Sequence, residues 1–155
     1  MREYKKTYKP LILWCFAITI IPIVEVIVID NRIICSAKAL NILISAEILL
    51  ALDLLFYMMY RGEYAYWVQG GPSFEEAKEA GSKARKEYLL AHLKVFLKAT
   101  VICLIYMVYS YVARLSIWMD VNVMTVIIVI AAFFTVPIKF SNYVDKTERK
   151  EDIHG

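Results

Sequence analysis

Apolar residues along this chain fall into four runs separated by charged or polar stretches. They are LILWCFAITIIPIVEVIVI from Leu11 to Ile29, ALNILISAEILLALDLLFYMMY from Ala39 to Tyr60, VFLKATVICLIYMVYSYVA from Val95 to Ala113, and a fourth from Trp118 to Ile138 whose densest part is VIIVIAAFFTVPI. Each is close to the roughly 20 residues that cross the hydrocarbon core of a bilayer. Lipid offers no water to backbone N–H and C=O groups, so each run must satisfy them internally, which predicts four α-helices despite the abundance of Ile and Val. The two outer connections are short, and short connections make consecutive helices antiparallel neighbours. The pattern predicts an all-α polytopic membrane protein: one four-helix transmembrane domain over residues 1–155, its spans paired in two hairpins joined by a cytoplasmic amphipathic helix at about 73–94.

The polar interval between the second and third runs, EYAYWVQGGPSFEEAKEAGSKARKEY, carries its own signals. Gly70 and Gly71 suit the end of a helix and Pro72 a turn. Ser73 stands three residues before Glu76, the spacing of a capping box, and Glu75 lies near the positive end of the helix dipole. Beyond it Phe74, Ala77, Gly81, Ala84 and Tyr88 recur at helical spacing as a narrow stripe of mostly small residues, which permits close approach by another helix. This stripe is the expected cytoplasmic contact face, with a bend at Gly81–Ser82, where helix propensity is weak. A phosphate-binding loop is excluded: it needs GxxxxGK[ST], whereas Gly71 is followed by PSFEE and the later glycine begins GSK.

Composition agrees with the pattern. The chain is 60 % apolar and 14 % aromatic with a mean hydropathy of +0.54, against about 45–50 % apolar in soluble domains. The first run is longer than the roughly 7–15 residues of a signal-peptide core, and reads as a retained span. Lys and Arg set the orientation: four precede the first run, seven lie from Arg61 to Lys98 and four follow from Lys139, against two in the first outer turn and one in the second. The positive-inside rule puts both termini and the middle segment in the cytoplasm, with the plasma membrane as the expected location. The net charge of +3 is anchoring charge, and no basic stripe with stacking aromatics signals nucleic acid.

Polar groups inside the spans are the candidate chemistry, because a charge at the bilayer centre costs about 2.5–3.5 kcal/mol. Glu25 lies in the outer third of the first run and Glu47 in the outer half of the second, at depths that permit a shared proton, cation or water pocket; in the alternative, favoured reading Glu25 reaches the outer interface near Asp30 and Arg32 while Glu47 is a protonated interhelical donor. Asp53 and Lys98 both belong to inner halves and are expected either to pair or to leave Lys98 reaching the headgroups. Pro22 and Pro137 are candidate kinks. Tyr57, Tyr60, Tyr64, Tyr66 and Trp67 at the inner end, and Trp118 at the outer, read as an interfacial belt. Cys15, Cys35 and Cys103 are scattered and suit neither a disulfide framework nor a zinc ribbon. His92 reads as an interface residue; neither it nor His154 in the charged tail has the companion of a zinc helix.

No catalytic constellation, metal set or cofactor motif emerges. The sequence is therefore read as a non-enzymatic membrane subunit of accessory, regulatory or immunity type, with the lipid bilayer, another membrane protein or a second copy as partner. A proton- or ion-coupled small transporter or channel subunit using Glu25, Glu47 and Asp53 is the competing expectation.

Overall fold

In a computed structural model, residues 4–32 and 36–145 are described, with side chains at 29–32 left aside. Cys35, His154 and the charged tail lie outside the described residues, and the side chain of Asp30 is among those left aside. Helix α1 spans Lys9–Arg32, α2 Ala37–Gly62, α3 Phe74–Glu79, α4 Gly81–Val112 and α5 Ile117–Thr135, with a single 3-10 turn at Ala65–Trp67. No strand occurs among the described residues. Four helices are long and apolar enough to cross a membrane, Lys9–Val28, Ala37–Gly62, Gly81–Val112 and Ile117–Thr135, which makes the chain a multi-pass membrane protein by length and composition.

Local chemistry sets the helix ends. Ser36 caps α2, its side chain accepting from the Ala39 N–H at 3.2 Å, and α2 stops where Glu63 turns left-handed, φ 59°. At α3 the capping box is formed in both directions: the Glu76 N–H donates to Ser73 Oγ at 3.2 Å and the Ser73 N–H to Glu76 Oε2 at 2.6 Å. Ser116 caps α5 through the Met119 N–H at 3.3 Å. Pro22 sits within α1 without ending it. Pro137 lies just beyond Thr135, so α5 ends before it and is not kinked by it; Val136 keeps helical backbone, and the proline has no N–H with which to continue the ladder.

The amphipathic helix and the third span are not separate elements. Gly81, with φ +79°, breaks the chain between α3 and α4, and from there α4 runs uninterrupted for 32 residues. At about 1.5 Å per residue that is roughly 48 Å, against about 30 Å of hydrocarbon. The helix is therefore longer than a span needs: its first turns are charged, with Lys83, Arg85, Lys86 and Lys94, and Val95–Val112 is the apolar part long enough to cross.

Helix α4 is the centre of the bundle, packing most closely on α2 and next on α5, while α1 packs on α2. Contacts at Lys38–Ser110, Leu49–Cys103, Phe56–Phe96 and Glu63–Arg85 run in opposite directions along α2 and α4, so these helices are antiparallel. One core cluster joins Leu49, Cys103, Met107 and Met124 within the apolar spans. A second gathers Met59, Ala65, Ala77, Tyr88 and Leu89 at the charged end of α4. Outward faces are apolar and open, including Leu13, Val112, Trp118 and Phe133, the inversion expected where the surrounding solvent is lipid.

Candidate functional site

The intramembrane polar groups divide into three sets, distributed along α2. Nearest its start, the Lys38 ammonium uses all three of its donors. It bonds Ser110 Oγ at 2.6 Å, the Leu115 carbonyl at 2.9 Å and Asp120 Oδ2 in a close ion pair. The other Asp120 oxygen accepts from Ser110 and, at 3.2 Å, from the Tyr106 hydroxyl. Asp120 and Ser110 are fully buried and Lys38 is largely so, and the network ties α2, α4 and α5 together at one end of the spans. Sequence reasoning missed this set. Its only signal is that two opposite charges lie at the same end of the predicted spans.

Midway along, α1 meets α2. The indole of Trp14 donates to the Ala51 carbonyl at 3.0 Å. The Glu47 carboxyl interacts with that of Glu25 across the same interface, so these two candidates are brought together. One oxygen of each is buried with no hydrogen-bond partner among the described residues, as is the Asn41 amide nitrogen.

Further along, Asp53 is buried and its carboxyl meets the Thr100 hydroxyl of α4. Its other oxygen, Oδ1, is buried without a partner among the described residues. The expected Asp53–Lys98 pair is not formed. At about 100° per residue, Lys98 lies roughly 200° around α4 from Thr100; it is exposed on the α5 side, at the edge of an apolar groove.

Beyond α2, Glu63 and Arg85 form the main polar contact of the middle segment. Arg85 Nε and Nη2 both reach Glu63 Oε2, at 2.9 and 2.7 Å, and Nη1 donates to the Ala77 carbonyl at 2.6 Å. Ser82 donates to Glu63 Oε1 at 2.6 Å, and Lys86 stands 3.4 Å from the same oxygen. Burial alone would raise the Glu63 carboxyl; the Ser82 and Arg85 hydrogen bonds, the Arg85 charge and Lys86 outweigh it and hold the group below its ordinary value. The guanidinium also lies 4.0 Å over the ring of Tyr4, whose hydroxyl donates to the Glu63 carbonyl at 2.8 Å. Burial there pushes the Tyr4 hydroxyl up to about 12 against the pull of Arg85.

Of the aromatics read as an interfacial belt, Tyr64, Tyr66 and Trp67 pack within the chain, whereas Tyr57 and Trp118 are exposed. The Thr7 N–H donates to the Tyr66 hydroxyl at 2.9 Å, while Tyr66 and the Trp67 indole both donate to the Thr7 carbonyl, at 2.9 and 3.1 Å. Tyr4 stacks on Phe74 at 5.1 Å, and Tyr8 and Tyr64 both stack on Trp67. Together they clasp the segment before α1 onto the region between α2 and α4.

The stripe expected to meet a partner is covered by the same packing. Ala77 and Ala84 are fully buried, Tyr88 is 2 % exposed against Phe140 and Tyr143, and Phe74 takes the ring of Tyr4. Gly81 serves as the break before α4. The small side chains do permit close approach, but to other parts of this chain. His92 is likewise buried, its Nδ1 3.0 Å from the Tyr88 carbonyl and its ring stacked on Phe56.

Among the described residues no three His, Cys, Asp or Glu side chains form a set that could hold a metal ion. Compared with known proteins, the chain matches no family model, no curated protein and no solved structure.

Proposed function

We propose that this protein is a small non-enzymatic membrane subunit that works through helix–helix contact in an accessory, regulatory or immunity-type role. In this reading it lies in the plasma membrane with both termini cytoplasmic, its spans pair as two hairpins, and the segment between them is cytoplasmic. The observation that carries it is the outlying position of α1. None of the residues of its apolar stretch is buried, and it packs on α2 with the Trp14 hydrogen bond and the Glu25–Glu47 contact at the interface. Lipid tails are as apolar as the helix they surround, so burial from water does not drive spans together; packing and interhelical hydrogen bonds do. A span packed so lightly at home keeps its flank for another helix. Extraction from native membranes in mild detergent is expected to yield a stoichiometric membrane partner or a second copy, with association lost on replacing α1 by an unrelated apolar span. A solitary chain, unaffected by that exchange, would remove the basis for this reading.

The Glu25–Glu47 contact supports a second reading, a proton- or ion-coupled transporter or channel subunit. Their buried oxygens without a partner among the described residues leave acceptors for a proton or a cation. Flux in proteoliposomes that disappears in Glu47→Gln would establish coupling and displace the first reading.

A further inference from the structure

Between α4 and α5 lies an apolar groove of about 350 Å³, within the roughly 300–1,000 Å³ typical of small-molecule sites. Its floor is set by two small buried residues, Ala99 and Ala131, and its walls include the exposed side chains of Ile102, Ile130 and Phe134. The groove is therefore open to the bilayer along its length. Lys98 is the single charged residue lining it. Lys98 is exposed and carries no ion pair among the described residues, and no acidic side chain lines the groove. Lys94, one turn earlier on the same face of α4, and Lys139, just past the end of α5, are exposed as well.

We infer that this groove binds an anionic phospholipid, one acyl chain lying between Ala99 and Ala131 and the phosphate meeting Lys98. The placement of the charge argues for a lipid: Lys98 stands one turn inside the apolar part of α4, at the end where its charged turns begin. A lysine there extends its ammonium along its stem toward headgroup depth, and basic pockets between spans recruit anionic headgroups. An apolar chain joined to a phosphate satisfies both halves of the site at once. The inference goes beyond the proposed function and requires only that α4 and α5 face lipid.

The test is native mass spectrometry of the full chain in mild detergent, titrated with dioleoyl phosphatidylglycerol or dioleoyl phosphatidylcholine. The wild type is expected to retain phosphatidylglycerol about fivefold better, the weight of one lysine at an anionic surface. Lys98→Gln is expected to abolish that preference and Lys98→Arg to keep it. Ala131→Phe, which fills the floor, is expected to lower binding of both lipids. Lys83→Gln, an exposed lysine away from the groove, is expected to bind as the wild type does. Equal retention of the two lipids by the wild type would overturn the inference, and so would a loss in Lys83→Gln equal to that in Lys98→Gln. Protection of Lys98 from acetylation by a co-purifying protein, in place of lipid, would also overturn it.

Discussion

At the residue scale, Lys38 and Asp120 show how the packed end of the spans accommodates full charges. Removing one partner of a buried ion pair leaves the other uncompensated, which costs about 3–5 kcal/mol, whereas replacing both with apolar side chains is often near neutral. Lys38→Met is therefore expected to lower the unfolding midpoint in detergent sharply, with Lys38→Met/Asp120→Leu recovering most of the loss. A double variant no better than the single would mean that Asp120, left without Lys38, costs nothing because the Ser110 and Tyr106 hydroxyls still donate to it. Glu63 offers a pH-dependent counterpart outside the spans. Its folded value is depressed, so the unfolded chain binds the proton more readily; the stabilisation is present above about 4.3, the ordinary glutamate value, and is lost as pH falls through the folded value. Stability of the wild type relative to Glu63→Gln should accordingly shrink on acidification below that point, and a difference that stays constant with pH would contradict it.

At the scale of elements, α4 carries the lesson about what the chain reveals. Gly81 is left-handed, and a side chain there meets no neighbour but strains the backbone, a cost of about 1–2 kcal/mol. Gly81→Ala is expected to destabilise the protein by about that amount, measured by thermal unfolding, without altering the groove between α4 and α5. The four apolar helices and the Ser73–Glu76 capping box were legible because each is specified within a few consecutive residues. The fusion of the charged helix with the third span was less so, since apolar pattern divides a helix by its environment and not by its backbone. The neighbour of the Phe74–Tyr88 stripe was not legible for a related reason: small residues at helical spacing announce close packing, but nothing local says whether that neighbour belongs to the same chain. Asp53 and Lys98 do not face each other, because α4 turns Leu89, Cys103 and Met107 into the core and with them Thr100, while Lys98 lies on the α5 side. With the two side chains apart, Asp53→Asn and Lys98→Ala are expected to be additive within about 0.5 kcal/mol in a double-mutant cycle.

Across the whole molecule, the clasp around Thr7 joins the start of α1 to the junction of α2 and α4. It brings Tyr4 over Arg85 and covers the Phe74–Tyr88 stripe from one side. Tyr4→Ala removes the ring over the guanidinium and the hydrogen bond to the Glu63 carbonyl. Limited trypsinolysis of that variant is expected to cut faster after Arg85, buried in the wild type, with cleavage after Lys83 and Lys86, already exposed, less affected. An unchanged digestion pattern would mean that the clasp contributes nothing to the order of the middle segment.

The same clasp imposes a sequence of events during synthesis. Thr7 leaves the ribosome 59 residues before Tyr66, an interval of roughly 3–12 s at the usual 5–20 residues per second. During that time α1 enters the bilayer with its leading segment unheld, and the clasp closes only after α2 has been made. Trp14 finds the Ala51 carbonyl earlier, 37 residues on, so the first two spans meet before the amino-terminal segment is secured. A translational pause between Ala51 and Tyr66 would prolong the period in which the first two spans are in contact and Thr7 is still unclasped.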